Sequence, residues 1–226
     1  MKTPIIIINF KTYKESTGDN AVKLAKQIEK AVKKTKANVA IAVQAVDIEK
    51  VVKSVDLPVL AQHVDPDDFG GHTGKVLIDS VKKAGAIGTL LNHSEFKLSK
   101  SVITKTIKHC KDKNFEVVLC VPDSDKAGSY AYYSPDLIAV EPPELIGGGV
   151  SVTTKDPSII KHTVEKVYKV RRIPVLCGAG IHEEVDVSKS LELGAKGVLV
   201  ASGVVKNKDP YSETLSLIRG LSVLNV

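Results

Sequence analysis

The chain has 226 residues, of which 43% are hydrophobic, so it can bury a large core and is not globally disordered. Its formal net charge is +6, but it has no Trp and only 4% aromatic residues, which argues against a stacking platform for single-stranded nucleic acid. Lys23, Lys26 and Lys30 recur between apolar positions of a helical pattern, which indicates a solvated helix face rather than a nucleic-acid surface. The positive charge would also steer small anions toward the protein.

Eight apolar, β-branched runs recur along the chain, separated by stretches of helical pattern. The runs begin near Pro4, Asn38, Leu57, Ala86, Glu116, Pro135, Pro174 and Gly197. Runs of this kind are typical of strands that are buried on both faces, and their alternation with helices predicts a parallel sheet. Amphipathic helices are predicted around Ala21, Leu24, Ile28 and Val32, around Val185, Val187, Leu191 and Leu193, and, as a short helix, near Asp123 to Ala131.

The number of strand–helix pairs predicts an α/β fold of the closed (β/α)₈ barrel type. Eight pairs in 226 residues leave about 28 residues for each, close to the smallest βαβ unit. No linker or shift in composition interrupts the chain, which favours one barrel domain over residues 1–226. The first strand is not followed by GxGxxG, which weakens the alternative of an open dinucleotide-binding sheet.

The cysteines and the N-terminus are typical of a cytoplasmic protein. Cys110, Cys120 and Cys177 are an odd number without CxxC spacing, which indicates a reducing compartment. The opening segment MKTPIIIINF has too short an apolar run for a signal peptide, and no stretch approaches the ~18 apolar residues of a membrane span. We therefore predict a cytoplasmic location and no membrane partner.

Polar side chains follow three of the predicted strands. Lys11 follows strand one, His93 follows strand four and Glu141 follows strand six. Each alone has an ordinary interpretation, as a surface lysine, a packed histidine or a salt-bridged glutamate. The active site of a (β/α)₈ barrel lies at the C-terminal ends of its strands, so the fold brings all three to one mouth. Their joint placement indicates a general base, a hydrogen-bond donor and a cation in one catalytic site.

The other histidines lack this support and are interpreted as structural. His63 ends strand three, His72 lies in a glycine-rich loop, and His109, His162 and His182 are expected on helices. The histidines and cysteines share no metal-ligand spacing, so we predict neither a metal nor another cofactor.

Small residues follow strands seven and eight, where barrels of this type commonly bind a phosphate on backbone N–H groups. They are Gly178, Ala179, Gly180, Ala201, Ser202 and Gly203. A phosphate site opposite a base and a cation indicates a small phosphorylated carbonyl compound as substrate. The base would remove a proton next to the carbonyl group.

Several segments, in this order along the whole chain, resemble the triosephosphate isomerase family, most of all its compact archaeal members. They are Asn9-Phe10-Lys11, His93-Ser94-Glu95, Glu141-Pro142 with the glycine-ended segment that follows, and the glycine turns after strands seven and eight. The resemblance implies that the protein interconverts dihydroxyacetone phosphate and glyceraldehyde 3-phosphate through an enediolate. It also implies that Glu141 is the base, His93 the neutral group that polarises the carbonyl, and Lys11 the cation that holds the substrate.

The resemblance implies further contacts around the substrate. Asn9 would join the same oxyanion site, and Glu95 would orient Lys11 without touching the substrate. The phosphate would rest on backbone amides near Ile146, Gly147, Gly180, Ala201 and Ser202. The N-terminus of a helix favours a neutral histidine beside it, and a helix beginning near Ser94 is expected to supply that effect.

The segment after Glu141 departs from the commoner family pattern. Glu144 stands where a tryptophan often packs, and Cys177 and Gly180 replace a tyrosine and a serine whose hydroxyl groups latch the closed lid. Stiff prolines at one end and Gly147 to Gly149 at the other still predict a hinged lid.

The loop from Phe69 to Gly74 resembles the family's interface loop, which reaches into a neighbouring subunit. It therefore implies a homo-oligomer, either a dimer or a tetramer.

Three other functions compete with this interpretation. A Schiff-base aldolase would use Lys11 as its nucleophile, but such a lysine is normally desolvated deep in a strand, whereas Lys11 lies beside polar Asn9. A ribulose-phosphate epimerase would need metal-ligand histidines and aspartates at strand ends, which the sequence does not present. A basic, non-enzymatic nucleic-acid-binding protein is the remaining alternative.

Overall fold

The computed structural model describes residues 1–142 and 156–221, and its eight parallel strands close into a barrel in sequence order. The strands are β1 Ile5–Asn9, β2 Val39–Val43, β3 Val59–Ala61, β4 Gly88–Leu91, β5 Glu116–Val121, β6 Leu137–Val140, β7 Val175–Cys177 and β8 Gly197–Val200. Each predicted strand is present, and the predicted fold class is confirmed. That residues 1–226 form one domain stays a prediction, because some of them lie outside the described ranges.

The core of the barrel has two layers because successive side chains of a strand point to opposite sides. Ile5 and Ile7 of β1 point into the barrel interior, where they pack with Leu60, Leu90 and other side chains. Ile6 and Ile8 of the same strand point outward and pack beneath the surrounding helices. Both layers are buried, which explains why the strands appear in the sequence as continuous apolar runs.

The barrel closes where β1 pairs with β8, with Ile5 opposite Gly197. Gly197 has a φ of +144°, and a Cβ at this position would lie 2.0 Å from the backbone oxygen of Ile5. Only a glycine fits here, since any side chain would push the first and last strands apart.

Nine α-helices surround the barrel within the described residues. They are α1 Asp19–Thr35, α2 Ile48–Val52, α3 Ile78–Lys83, α4 Lys100–Asp112, α5 Ser124–Ala131, α6 Ser158–Val170, α7 Glu184–Glu192, α8 Ser202–Val205 and α9 Pro210–Leu221. The predicted lysine-rich face of α1 is exposed, while its apolar residues Leu24 and Ile28 are buried. None of these described helices is long and apolar enough to cross a membrane.

Two details of the predicted helices are wrong. Val185 belongs to α7 but is 60% exposed, because Val187 and Leu191 provide the buried face of that helix. No helix begins near Ser94. The segment forms a turn in which the N–H of Phe96 donates to the oxygen of His93 at 2.8 Å, and the next helix begins only at Lys100.

Candidate active site

The three residues predicted to carry the chemistry line one cavity at the C-terminal ends of the strands. The cavity has a volume of about 340 Å³, and Lys11, His93 and Glu141 contribute to its wall. Four more of the predicted site residues also line it, namely Asn9, Gly180, Ala201 and Ser202, and so does Glu95. Ile146, Gly147, Glu144 and the predicted glycine hinge lie outside the described residues.

Glu141 follows β6 directly, and its backbone is anchored to the neighbouring strand. Its N–H donates to the oxygen of Val121 at 2.7 Å, and the residue is only 3% exposed. The carboxylate accepts a hydrogen bond from the N–H of Ser94 to Oε2 at 3.1 Å, and His93 Nε2 lies 3.1 Å from Oε1. A rigid strand end thus holds a nearly dry carboxylate at the cavity wall.

His93 is held so that its two ring nitrogens have different roles. The N–H of Glu95 donates to Nδ1 at 3.2 Å, so Nδ1 acts as an acceptor and carries no proton in this arrangement. The proton then lies on Nε2, which points at Glu141. The turn at Ser94 therefore orients the imidazole through one backbone donor, where the sequence led us to expect the end of a helix.

Lys11 has an unusual backbone conformation, with a φ of +49° in the left-handed region. Such a conformation is uncommon for a residue other than glycine and needs support from its surroundings. Two side chains give that support. Asn9 Oδ1 accepts from the N–H of Lys11 at 3.0 Å, and Gln62 Nε2 donates to the oxygen of Lys11 at 2.9 Å.

The ammonium group of Lys11 is fixed by Glu95. The distance from Lys11 Nζ to Glu95 Oε1 is 2.7 Å, and the Lys11 side chain is only 14% exposed. Glu95 therefore lies where a residue that orients Lys11 should lie, and it uses its own N–H to orient His93 as well.

The opposite side of the cavity consists of the small residues after β7 and β8. Gly180 has a φ of +65°, which favours glycine, and Ser202 begins α8 directly after Ala201. The first N–H groups of a helix have no carbonyl partner within that helix. Those of Ser202 and Gly203 are therefore suited to bind an anion in the cavity.

Three cavity or support residues were missed at the level of sequence. Gln62 directly follows β3, and this position at a strand end was the available signal. Tyr13 lines the cavity two residues beyond Lys11. His182 was expected on a helix and interpreted as structural, but it precedes α7 and lines the cavity. The N–H of His182 donates to Asp186 Oδ2 at 2.9 Å.

Cys120 lies behind the base on the neighbouring strand. It is fully buried, and burial raises the pKa of its thiol well above the ordinary value, to which the nearby carboxylate of Glu141 adds. The thiol is therefore a neutral neighbour of Glu141. Among the residues that the structure describes, no group of three or more His, Cys, Asp or Glu is placed to hold a metal ion.

Comparison with known proteins decides which family carries this arrangement. A model of the family described as "Triosephosphate isomerase" matches residues 4–220. The chain belongs to the triosephosphate isomerase family. The triosephosphate isomerase of Methanothermus fervidus is 47% identical to it over 219 residues, which cover 96% of this chain and 99% of the relative. That of Methanobacterium bryantii is 44% identical over 218 residues and covers 96% of each chain.

A solved structure supports the fold. The crystal structure of triosephosphate isomerase from Bartonella henselae matches 100% of both chains with a TM-score of 0.75 at 16% identity. The family model and the curated relatives confirm the predicted family and its isomerase class. The relatives are named as isomerases. Membership of their family therefore gives no support to the aldolase, the epimerase or the nucleic-acid-binding alternative.

Proposed function

We propose that the protein interconverts dihydroxyacetone phosphate and D-glyceraldehyde 3-phosphate in the cytoplasm, as a step of glycolysis and gluconeogenesis. One observation carries the proposal: Glu141, His93 and Lys11 share a cavity with the small-residue turns at Gly180 and Ser202. The cavity thus combines a base, a neutral hydrogen-bond donor and a cation with a place for a phosphate.

In this mechanism Glu141 removes a proton from one carbon of the substrate and returns it to the neighbouring carbon. Its carboxylate is nearly dry and placed by a strand end, which suits a base that must reach carbon accurately. His93 Nε2 lies 3.1 Å from Glu141 Oε1, so the donor and the base face the same part of the cavity. The carbonyl oxygen of the substrate accepts a hydrogen bond from His93 Nε2, and an oxygen of Glu141 takes the proton.

His93 and Lys11 stabilise the enediolate that forms after proton removal. The Nε2–H of His93 donates to the substrate oxygen as negative charge develops there, and the ammonium of Lys11 lies at the same mouth. Asn9 supports the backbone of Lys11 and lines the cavity beside it. The phosphate rests on the N–H groups around Gly180, Ala201 and Ser202, and the resemblance adds Ile146 and Gly147.

The contact between Lys11 and Glu95 argues against the aldolase mechanism. A Schiff-base lysine is normally desolvated deep in a strand, whereas Lys11 Nζ lies 2.7 Å from the carboxylate of Glu95, whose side chain is 56% exposed. Treatment with borohydride in the presence of substrate should therefore leave the mass of the protein unchanged. A reduced adduct on Lys11 would favour the aldolase.

The deciding experiment is a coupled assay of the purified protein with D-glyceraldehyde 3-phosphate, which measures the appearance of dihydroxyacetone phosphate. We expect rapid turnover that is lost in a folded Glu141→Gln variant. Absence of turnover in the folded wild-type protein would refute the proposed reaction. The unphosphorylated sugar D-glyceraldehyde is the control substrate and should react far more slowly, because the phosphate provides much of the binding energy.

We also propose that the protein is a homo-oligomer. Val46, Phe69 and Phe96 are 83%, 64% and 57% exposed. They lie on the segments that follow three neighbouring strands, β2, β3 and β4, with Val46 in the short 3-10 helix Ala45–Asp47. Large exposed apolar side chains on neighbouring segments at one end of a barrel are typical of an interface. Light scattering at micromolar concentration should give a multiple of 24.2 kDa, and a monomer would refute this part of the proposal.

A further inference from the structure

An exposed lysine is held against the rim of the active-site cavity. Lys206 Nζ lies 4.1 Å from the centroid of the Tyr13 ring, and Tyr13 lines the cavity. A cation over the face of an aromatic ring is attracted by the quadrupole of the ring, so the ammonium group has a preferred position. This ring therefore connects Lys206 to the cavity wall.

Both partners of this contact are anchored to parts of the site. Lys206 directly follows α8, and its N–H donates to the oxygen of Ser202 at 3.0 Å, so it lies one turn from the small-residue turn after β8. Tyr13 lies two residues beyond Lys11, and its backbone oxygen accepts from the N–H of Ser16 at 3.0 Å and from Thr17 Oγ1 at 2.8 Å. The Tyr13 ring therefore projects from a fixed loop.

The charge of Lys206 is not neutralised by the described part of the chain. Within residues 1–142 and 156–221, it forms no salt bridge with a carboxylate, in contrast to Lys11, which is paired with Glu95. A tyrosine ring orients a cation without cancelling its charge. An oriented, unneutralised ammonium next to an anion site raises the local concentration of anions.

We propose that Lys206, positioned by Tyr13, favours a doubly charged phosphate ester over an uncharged sugar in this cavity. The inference rests on the proposed function, since it assigns the phosphate end of the substrate to the side of the cavity near Ser202. Lys206 is a specificity-determining residue that acts through the local potential, and the chemistry at Glu141 does not depend on it.

The test compares two variants with the same change of net charge. Lys206→Gln removes the proposed cation over the Tyr13 ring, and Lys208→Gln removes an exposed lysine that makes no such contact within the described residues. With D-glyceraldehyde 3-phosphate at low ionic strength, we expect Lys206→Gln to raise KM roughly three- to tenfold, with little change in kcat. The effect should shrink in high salt and be absent with D-glyceraldehyde. Equal values for the two variants would overturn the proposal.

Three further single variants and one double variant separate a positioned charge from a merely nearby one. Lys206→Arg and Tyr13→Phe keep the cation and the ring, so both should retain the wild-type KM. Tyr13→Leu should raise KM, and combining it with Lys206→Gln should add little to Lys206→Gln alone, because the two residues act as a unit. Fully additive effects of Tyr13→Leu and Lys206→Gln would contradict the proposed coupling.

A binding measurement makes this test independent of the isomerase reaction. Calorimetric titration with inorganic phosphate should give weaker binding to Lys206→Gln than to Lys208→Gln or the wild type. If the wild-type protein showed no isomerase activity, the proposed reaction would be refuted. The comparison of phosphate affinities would still decide the role of Lys206. Equal phosphate affinity in all three proteins would overturn the inference even if the isomerase activity were present.

Discussion

Glu141 occupies space that any side chain at Gly178 would need. A Cβ at Gly178 would lie 2.7 Å from Glu141 Cγ and 3.0 Å from the backbone oxygen of Val140. The turn after β7 thus has two uses, since Gly180 opens toward the proposed anion site and Gly178 leaves room for the base. In the sequence Gly178 looks like a simple turn residue, but the carboxylate of Glu141 can take its position only because Gly178 has no side chain.

Gly178→Ala is therefore expected to displace Glu141 and lower kcat by about 10²-fold, because misplacement of a reacting group on the order of 1 Å has effects of this size. Steady-state kinetics should show this loss while the protein stays folded. The matched substitution Gly197→Ala, at the barrel closure, should instead lower the melting temperature or prevent folding. If Gly178→Ala had wild-type kcat, the proposed steric relationship would be wrong.

Glu141→Asp shortens the base by one methylene group without changing its charge. We expect kcat to fall by about 10²-fold because the shorter carboxylate no longer reaches the substrate carbon in the right geometry. Glu192→Asp makes the same change at an exposed position of α7 and should leave kcat unchanged. Wild-type turnover in a folded Glu141→Asp protein would show that another group is the base.

His93→Gln removes the imidazole that accepts from the N–H of Glu95 at Nδ1 and whose Nε2 lies 3.1 Å from Glu141 Oε1. Since the contact with the substrate oxygen strengthens as the enediolate forms, we expect kcat to fall by at least tenfold, and to change more than KM. His162→Gln, on the exposed side of α6, is the control. A variant with a raised KM and normal kcat would exclude the proposed role of His93.

Gln62→Met tests whether the strained backbone of Lys11 needs its amide partner. Methionine has a similar length but cannot donate to the oxygen of Lys11, which Gln62 Nε2 reaches at 2.9 Å. Loss of a hydrogen bond of ordinary strength should lower kcat/KM by about tenfold, since Lys11 is then held less firmly. The exposed Gln27→Met on α1 serves as the control. Equal kcat/KM in both variants would mean that Asn9 alone suffices.

The cysteine thiols should be unreactive in the folded protein. Burial raises the pKa of Cys110 and of Cys177 from the ordinary value of 9.0 to about 12, so neither is a thiolate at pH 7 to 9. Cys120 is shifted in the same direction. In the unfolded chain the thiols regain their ordinary pKa, and their labelling by iodoacetamide accelerates as the pH rises toward 9. Mass spectrometry should therefore find labelling only after denaturation, and rapid labelling at pH 8 without denaturant would contradict the burial.

Much of the fold could be predicted because its signal is local. Ile5, Ile6, Ile7 and Ile8 are all buried, which requires a strand covered on both faces. The other seven strands are buried in the same way, except for Glu116 at the start of β5. Once a barrel is expected, the general placement of barrel active sites selects Lys11, His93 and Glu141 without further information.

What could not be predicted depends on contacts between distant parts of the chain. Gln62 supports Lys11 from another strand end, and only the closed barrel brings the two side by side. The wrongly expected helix at Ser94 is excluded by Asn92, which has a φ of +61° and accepts from the N–H of Leu98 at 2.9 Å. This hydrogen bond holds the chain in a loop up to the start of α4. A pattern of residue types contains no information about such contacts.

The closure of the barrel between β1 and β8 has a consequence for synthesis in the cell. β1 leaves the ribosome long before its partner strand β8, because about 190 residues separate Ile5 from Gly197 in the chain. Until then β1 has an unpaired edge and a row of isoleucines that can pair with other nascent chains. We expect the nascent chain to depend on chaperones during this interval. Chains truncated before β8 are expected to aggregate.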